Sequence, residues 1–140
     1  MKAYLTRRYL FSASHRLHSD EMSAAENVAT YGKCNNPYGH GHNYALEVTV
    51  SGQVEERTGM VCDLVDLDGV VQREVLERYD IENLNVLPEF AQTVPTTENL
   101  CAAIYDILQR GFRHAHLEKV RLEETMMNSF EYAGNTERIW

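Results

Sequence analysis

The sequence predicts an α+β fold, an antiparallel four-stranded sheet with two helices on one face, and three observations carry that expectation. Residues 44–51 alternate apolar and polar, with Tyr44, Leu46, Val48 and Val50 set against Ala45, Glu47, Thr49 and Ser51, which is the period of a half-buried strand. In "TTENLCAAIYDILQRG" the residues Leu100, Ala103, Ile104, Ile107 and Leu108 form one helical stripe. The predicted elements run strand, strand, helix, helix, strand, strand, and one sheet covered by two helices is the simplest layer arrangement for that order.

Taken along the chain, Lys2 to His15 is rich in Tyr, Leu, Phe and Ser, and Phe11, Ala13 and His15 share the parity that sends side chains to one face of a strand. Residues 18–39 carry Asn, Gly, Pro and Ser without periodicity and read as a long loop, a place where function concentrates. The second strand starts right after His42, and Gly52 and Gly59 frame a polar connection behind it. Asp63 can cap a helix whose Leu64, Leu67, Val71 and Val75 recur at helical spacing through about Tyr79. Thr97 can cap the second helix and Gly111 ends it. Val120 and Leu122 then alternate with Lys119, Arg121 and Glu123, and "SFEYAG" can pair with them across a turn near Met127 and Asn128.

No repeat, linker or low-complexity stretch divides the 140 residues, so one domain spanning 1–140 is expected. A hydrophobic fraction of 44% and a charged fraction of 24% are those of an ordinary globular chain. The formal charge of -8 argues against nonspecific binding to nucleic acid or anionic membranes, both of which need clustered positive charge. There is no run of about 18 apolar residues and no signal-like N-terminus. Cys34, Cys62 and Cys101 are an odd set without close pairing, as reduced thiols would be, so a cytoplasmic location is expected. Cys62 and Cys101 sit among apolar residues and read as small buried hydrophobes.

The chemistry concentrates in "KCNNPYGHGHNY". In an extended segment His40 and His42 point to the same face, and His15 joins them if the first strand pairs with the second. Three histidines with an open fourth position match catalytic zinc, whereas structural zinc fills its shell with four protein ligands. His18 is a rival third ligand of different parity, and His114 and His116 in "RHAHLE" are a reserve proton source in a loop. Cys34 beside Lys33 is a fourth ligand, a base, or an inert thiol; neighbouring positive charge favours the thiolate and hence the base. Glu124 shares the parity of Val120 and Leu122, so it is either a break in register at the strand end or a receptor for a ligand with adjacent N–H donors. Glu98, in the first turn of the second helix, suits the helix dipole.

"FSASHRL", "YGKCNNPYGHGHNY", "GMVCDL", "TTENL" and a late strand ending in "EET" stand in order over nearly the whole chain, and together they resemble the 6-pyruvoyl-tetrahydropterin synthase and 6-carboxytetrahydropterin synthase family. The five residues between Cys34 and His40 resemble its pyruvoyl-forming branch. The resemblance implies a tunnelling fold whose sheets join into an oligomeric barrel, commonly a homohexamer, with the site between subunits. It implies zinc on His15, His40 and His42, a proton-abstracting Cys34, and Glu124 as the anchor of a pterin's amino-pyrimidine edge. Thr96, Thr97 and Glu98 match the segment that lies near the pterin. The implied reaction is the lyase conversion of 7,8-dihydroneopterin triphosphate to 6-pyruvoyl-tetrahydropterin with loss of triphosphate, in tetrahydrobiopterin biosynthesis. Arg16 and Lys33 are candidates to receive the triphosphate.

The resemblance breaks at one place. The family reads Asp-His where this chain has "YDIENLN", with Asp80 present and Ile81 in place of the relay histidine. Isoleucine neither takes nor gives a proton. Three outcomes are expected: a slower version of the same reaction, relief by His114 or His116 from elsewhere in an assembly, or a changed or lost reaction, such as side-chain cleavage to 6-carboxytetrahydropterin or pterin binding without turnover.

Overall fold

The computed structural model describes residues 1–135; residues 136–140, expected to belong to the same domain, lie outside the described residues. Strands β1 (Lys2–His15) and β2 (His40–Gln53) pair antiparallel along their whole length, from Lys2 against Gln53 to His15 against His40. Strand β4 (His116–Thr125) lies on the other side of β2, and β5 (Asn128–Tyr132) lies outside β4. The sheet has five strands rather than four, because a short β3 (Glu82–Asn83) lies outside β1, and the order is β3-β1-β2-β4-β5. This extra strand runs parallel to Ala13 and Ser14, and two residues are too few to leave a period-two signature.

One face of the sheet, with Phe11, Ala13, Tyr44, Leu46, Val48, Val50, Val120 and Leu122, is buried. It packs under α2 (Leu64–Val71), α3 (Glu77–Tyr79) and the long α4 (Thr97–Gly111). The other face is polar. There Arg8 and Arg121 share the Glu47 carboxylate at 3.1 and 2.6 Å, and Thr6 bonds Thr49.

Three expectations need correction. The segment 18–39 is not all loop, because α1 spans Ala24–Tyr31 and a 3₁₀ turn follows over Gly32–Asn35. A capping box starts α1: Ser23 accepts from the Glu26 amide while the Glu26 carboxylate accepts from the Ser23 amide. The helix expected from Leu64 to Tyr79 is interrupted by a π turn at Gln72–Leu76. Leu67, Val71, Val75 and Tyr79 are all fully buried at intervals of four, and in a 3.6-residue helix that spacing drifts by about 40° per step. The wider turn brings them back to one face. Finally, Thr96 rather than Thr97 caps α4, accepting from the Asn99 amide at 3.1 Å.

Candidate metal centre

Strand pairing assembles the centre. His15 lies directly opposite His40, and His42 opposite Ala13, so the three imidazoles share the helix-covered face at one end of the β1–β2 pair. Gly39 makes the approach possible: its φ is +73°, and a Cβ there would stand 3.1 Å from the His15 carbonyl oxygen. Across β2, Ala45 faces Glu123, so the next step of the register brings Glu124 alongside Tyr44 and toward His42. The β4–β5 pairing then slips between Glu123 and Thr125, and this bulge at Glu124 re-aims its carboxylate.

The donor atoms of His15, His40, His42 and Glu124 all lie within 4.8 Å of one another. His15 Nε2 is 3.2 Å from His40 Nε2, and Glu124 Oε1 is 3.0 Å from His42 Nε2 and 3.6 Å from His15 Nε2. Four donors about 2.0–2.2 Å from a tetrahedral ion stand roughly 3.3–3.6 Å apart, so these spacings fit one divalent cation. Hydrogen bonding alone accounts for them poorly, because His42 Nε2 is buried and lacks a hydrogen-bond partner despite the carboxylate 3.0 Å away. The two atoms are close without forming a hydrogen bond, as two donors to one ion would be.

The surroundings favour neutral, ligating imidazoles. His15 is almost fully buried, and its Nδ1 donates to the Pro95 carbonyl at 2.7 Å, which leaves Nε2 free to face the cluster. Burial pushes the His15 and His42 imidazoles below the usual histidine range, although Glu124 pulls the other way. Tyr44 stacks on Phe11 at 5.1 Å and backs the histidines, and its buried hydroxyl lies near that of Thr97; neither has a hydrogen-bond partner among the described residues. Thr96 and Thr97 thus stand beside the centre at the head of α4, and Glu98, in its first turn, is exposed. Tyr44 was missed as a site residue because its parity also suits an ordinary core position.

The remaining candidates are not among the four converging donors. The Cys34 thiol sits half-buried in the 3₁₀ turn, and burial and the Glu124 charge raise its pKa, contrary to the expectation that Lys33 would lower it. Lys33 is exposed, so its charge is screened by water. Asp80 is on the far edge of β1, where its carboxylate accepts from the Ser12 amide at 2.9 Å. Among the described residues no hydrogen bond joins it to Cys34 or the histidines. His18 turns away to Asn35. His114 stands 3.4 Å from Asp66, and His116 starts β4 while Glu124 is near its end, about 26 Å away along the strand. Neither can relieve Ile81 within its own chain.

Ile81 itself is unusual. It is 83% exposed and has φ of +56°, the left-handed region, which costs a side chain with a Cβ about 1–2 kcal/mol. The surroundings enforce it, since the Ile81 amide donates to the Ser12 carbonyl at 2.6 Å and the next residues pair with Ala13 and Ser14. A pocket of about 390 Å³ runs from Ser12, Ser14, Gly41 and Asn43 to Ile81, on the face of the sheet opposite the histidine side chains.

Three histidines and a carboxylate on one face of an α+β sheet define a candidate metal site. The model of the 6-pyruvoyl tetrahydropterin synthase family matches residues 4–135. The 6-pyruvoyl tetrahydrobiopterin synthases of Homo sapiens and Drosophila melanogaster are each 45% identical over 134 residues, covering 95% and 94% of this chain and 92% and 80% of theirs. The structure of Caenorhabditis elegans 6-pyruvoyl tetrahydropterin synthase superposes with a TM-score of 0.92 at 41% identity, covering 96% of this chain and 97% of that one. The chain belongs to the 6-pyruvoyl tetrahydropterin synthase family, and its fold is the tunnelling fold.

Proposed function

We infer that the protein is a zinc-dependent lyase that converts 7,8-dihydroneopterin triphosphate to 6-pyruvoyl-tetrahydropterin with release of triphosphate. The convergence of His15, His40, His42 and Glu124 in a chain of this family is the observation that carries the reading. His15, His40 and His42 would hold zinc, which supplies a Lewis acid able to polarise side-chain hydroxyls and acidify the neighbouring C–H. Glu124 accepts the amino-pyrimidine edge, with Thr96, Thr97 and Glu98 beside it at the head of α4. Cys34 takes the proton from the substrate carbon, and Asp80 receives protons on the route out. A raised thiol pKa suits a group that becomes a base only when a substrate and a cation are beside it.

Asp80 and Cys34 lie in separate parts of one chain, which supports a working unit in which neighbouring subunits complete each site. The outer edge of β5 and the part of β1 that β3 leaves uncovered supply the joints for such a barrel, and a homohexamer is the assembly proposed. No helix among the described residues is long and apolar enough to cross a membrane, and the working location is the cytoplasm. The test is product analysis: zinc-loaded protein given 7,8-dihydroneopterin triphosphate is expected to release triphosphate and a diketone pterin, and Cys34→Ala to lose about 100-fold or more in rate while keeping its metal.

Ile81 favours a second reading in which the pterin binds but its side chain is cleaved differently, to 6-carboxytetrahydropterin or a related product, or is not turned over. A shortened side chain, or tight pterin binding with no triphosphate released, would establish it over the first.

A further inference from the structure

One buried amide organises the stretch that follows His15. Asn35, 7% exposed, donates from Nδ2 to the Leu17 carbonyl at 2.8 Å and to His18 Nδ1 at 3.0 Å, and its backbone carbonyl accepts from Arg16 Nε at 3.1 Å. Asn85 clamps Arg16 from the other side: its Oδ1 accepts from the Arg16 amide at 2.7 Å, and its Nδ2 donates to the Arg16 carbonyl at 2.9 Å. The Leu17 amide donates to the Cys34 carbonyl at 2.8 Å. Residues 16–18 are thus fixed before any ligand arrives. Because His18 Nδ1 accepts, the proton of its neutral ring is on Nε2.

Arg16 and His18 both line a cavity of about 540 Å³, together with Ser19, Asn85, Gln92 and Thr93. The two terminal nitrogens of the Arg16 guanidinium have no partner among the described residues, whereas Arg7, Arg8, Arg78 and Arg121 each meet a carboxylate. A guanidinium anchored through Nε and open at its terminal nitrogens is suited to take a phosphate through two parallel bonds. Asp20 and Glu21 also border the cavity, but both are exposed, the Asp20 side chain at 99%, where water screens their charge. The cavity backs onto the metal centre: Arg16 follows His15 in the chain, and Pro95, another of its walls, supplies the carbonyl that accepts from His15 Nδ1.

We propose that this cavity is an oligophosphate site, in which the Arg16 guanidinium and His18 Nε2 donate to the phosphate oxygens of the substrate's triphosphate tail. The inference rests on the reading that the substrate is a pterin triphosphate. In a chain of net charge -8 such a tail needs a local cation, and Arg16 is the one held in place to supply it, whereas Lys33 is exposed. Arg16 grips a part of the substrate remote from the reacting carbon, so it holds substrate and transition state alike and acts on KM rather than kcat.

Inorganic triphosphate, titrated by calorimetry into the zinc-loaded protein, separates the tail from the ring, and unsubstituted pterin supplies the ring without the tail. Arg16→Gln is expected to weaken triphosphate binding by about 10-fold or more, and Arg16→Lys, which keeps the charge and loses the planar fork, by an intermediate factor. Lys33→Gln should cost less than about 2-fold. Pterin binding should be the same in all of them. In turnover, Arg16→Gln should raise KM for 7,8-dihydroneopterin triphosphate by about the same factor while kcat stays nearly unchanged. Undiminished triphosphate affinity in both Arg16 variants would overturn the proposal, as would inorganic triphosphate that binds without competing with the substrate, since the tail would then lie elsewhere. Triphosphate bound at Arg16 by a protein that takes up no pterin would instead defeat the pterin reading and leave the phosphate site standing.

Discussion

The metal pocket and the Asp80–Ile81 corner sit on opposite sides of the same strand end, and they are built in contrasting ways. In the pocket, His15 is buried, its ring is oriented by the Pro95 carbonyl, and four donors converge without help from outside the chain. At the corner, Asp80 and Ile81 are exposed, and the backbone is held in a costly conformation by bonds to Ser12. The part of the site that would polarise a substrate is thus complete within one chain. The part that would move protons is presented on an edge, where a neighbour can meet it.

The sharpest way to break this contrast is to remove a donor. His40→Ala takes away one of three imidazoles and is expected to weaken zinc retention by about 100-fold or more, read by competition against a chelator of known affinity. Substitution of Asp80 by Asn is expected to leave retention unchanged, because Asp80 makes no contact with the cluster. If both changes weakened metal binding alike, the two regions would not be independent.

A smaller effect is expected at Ile81. Ile81→His restores an ionisable ring next to Asp80, and turnover should rise by about 10-fold or more if a proton relay is the missing piece. Unchanged turnover with unchanged pterin binding would show that this chain moves its protons by another route.

What could be read from the sequence divides along the same line. Period-two alternation placed β1, β2 and β4, and with them the shared face of His15, His40, His42 and Glu124, because a strand encodes its faces residue by residue. The short α1 was legible only through Ser23 and Glu26, a capping box in a stretch with little apolar periodicity. The raised Cys34 thiol was not legible at all: it depends on burial and on a carboxylate 90 positions away, whereas the adjacent Lys33 points into solvent. Ile81 showed in the sequence that a histidine was missing. Its left-handed backbone follows from β3 pairing, a tertiary constraint with no local signal.

The corner also depends on a brace that the pocket lacks. Just before Asp80, Arg78 makes two bonds of 2.6 Å to Glu89, and the buried Tyr79 hydroxyl donates to the same carboxylate at 2.7 Å. The Arg78 guanidinium and, after it, the Tyr79 hydroxyl hold the Glu89 carboxyl down to about 2, against the opposing effect of its partial burial. A carboxyl depressed in the folded state stabilises fully above its unfolded value near 4.5 and loses that contribution as pH falls toward 2. Glu89→Gln cannot titrate, so its deficit relative to the unaltered protein should be largest at neutral pH and shrink between about pH 4.5 and 2 in urea-midpoint measurements. Both partners are partly open to solvent, so the deficit should be modest and should shrink further in high salt. A deficit that stayed constant across that pH range would mean that the brace acts through shape rather than charge. In that case the strained Ile81 would be held by the Ser12 backbone alone.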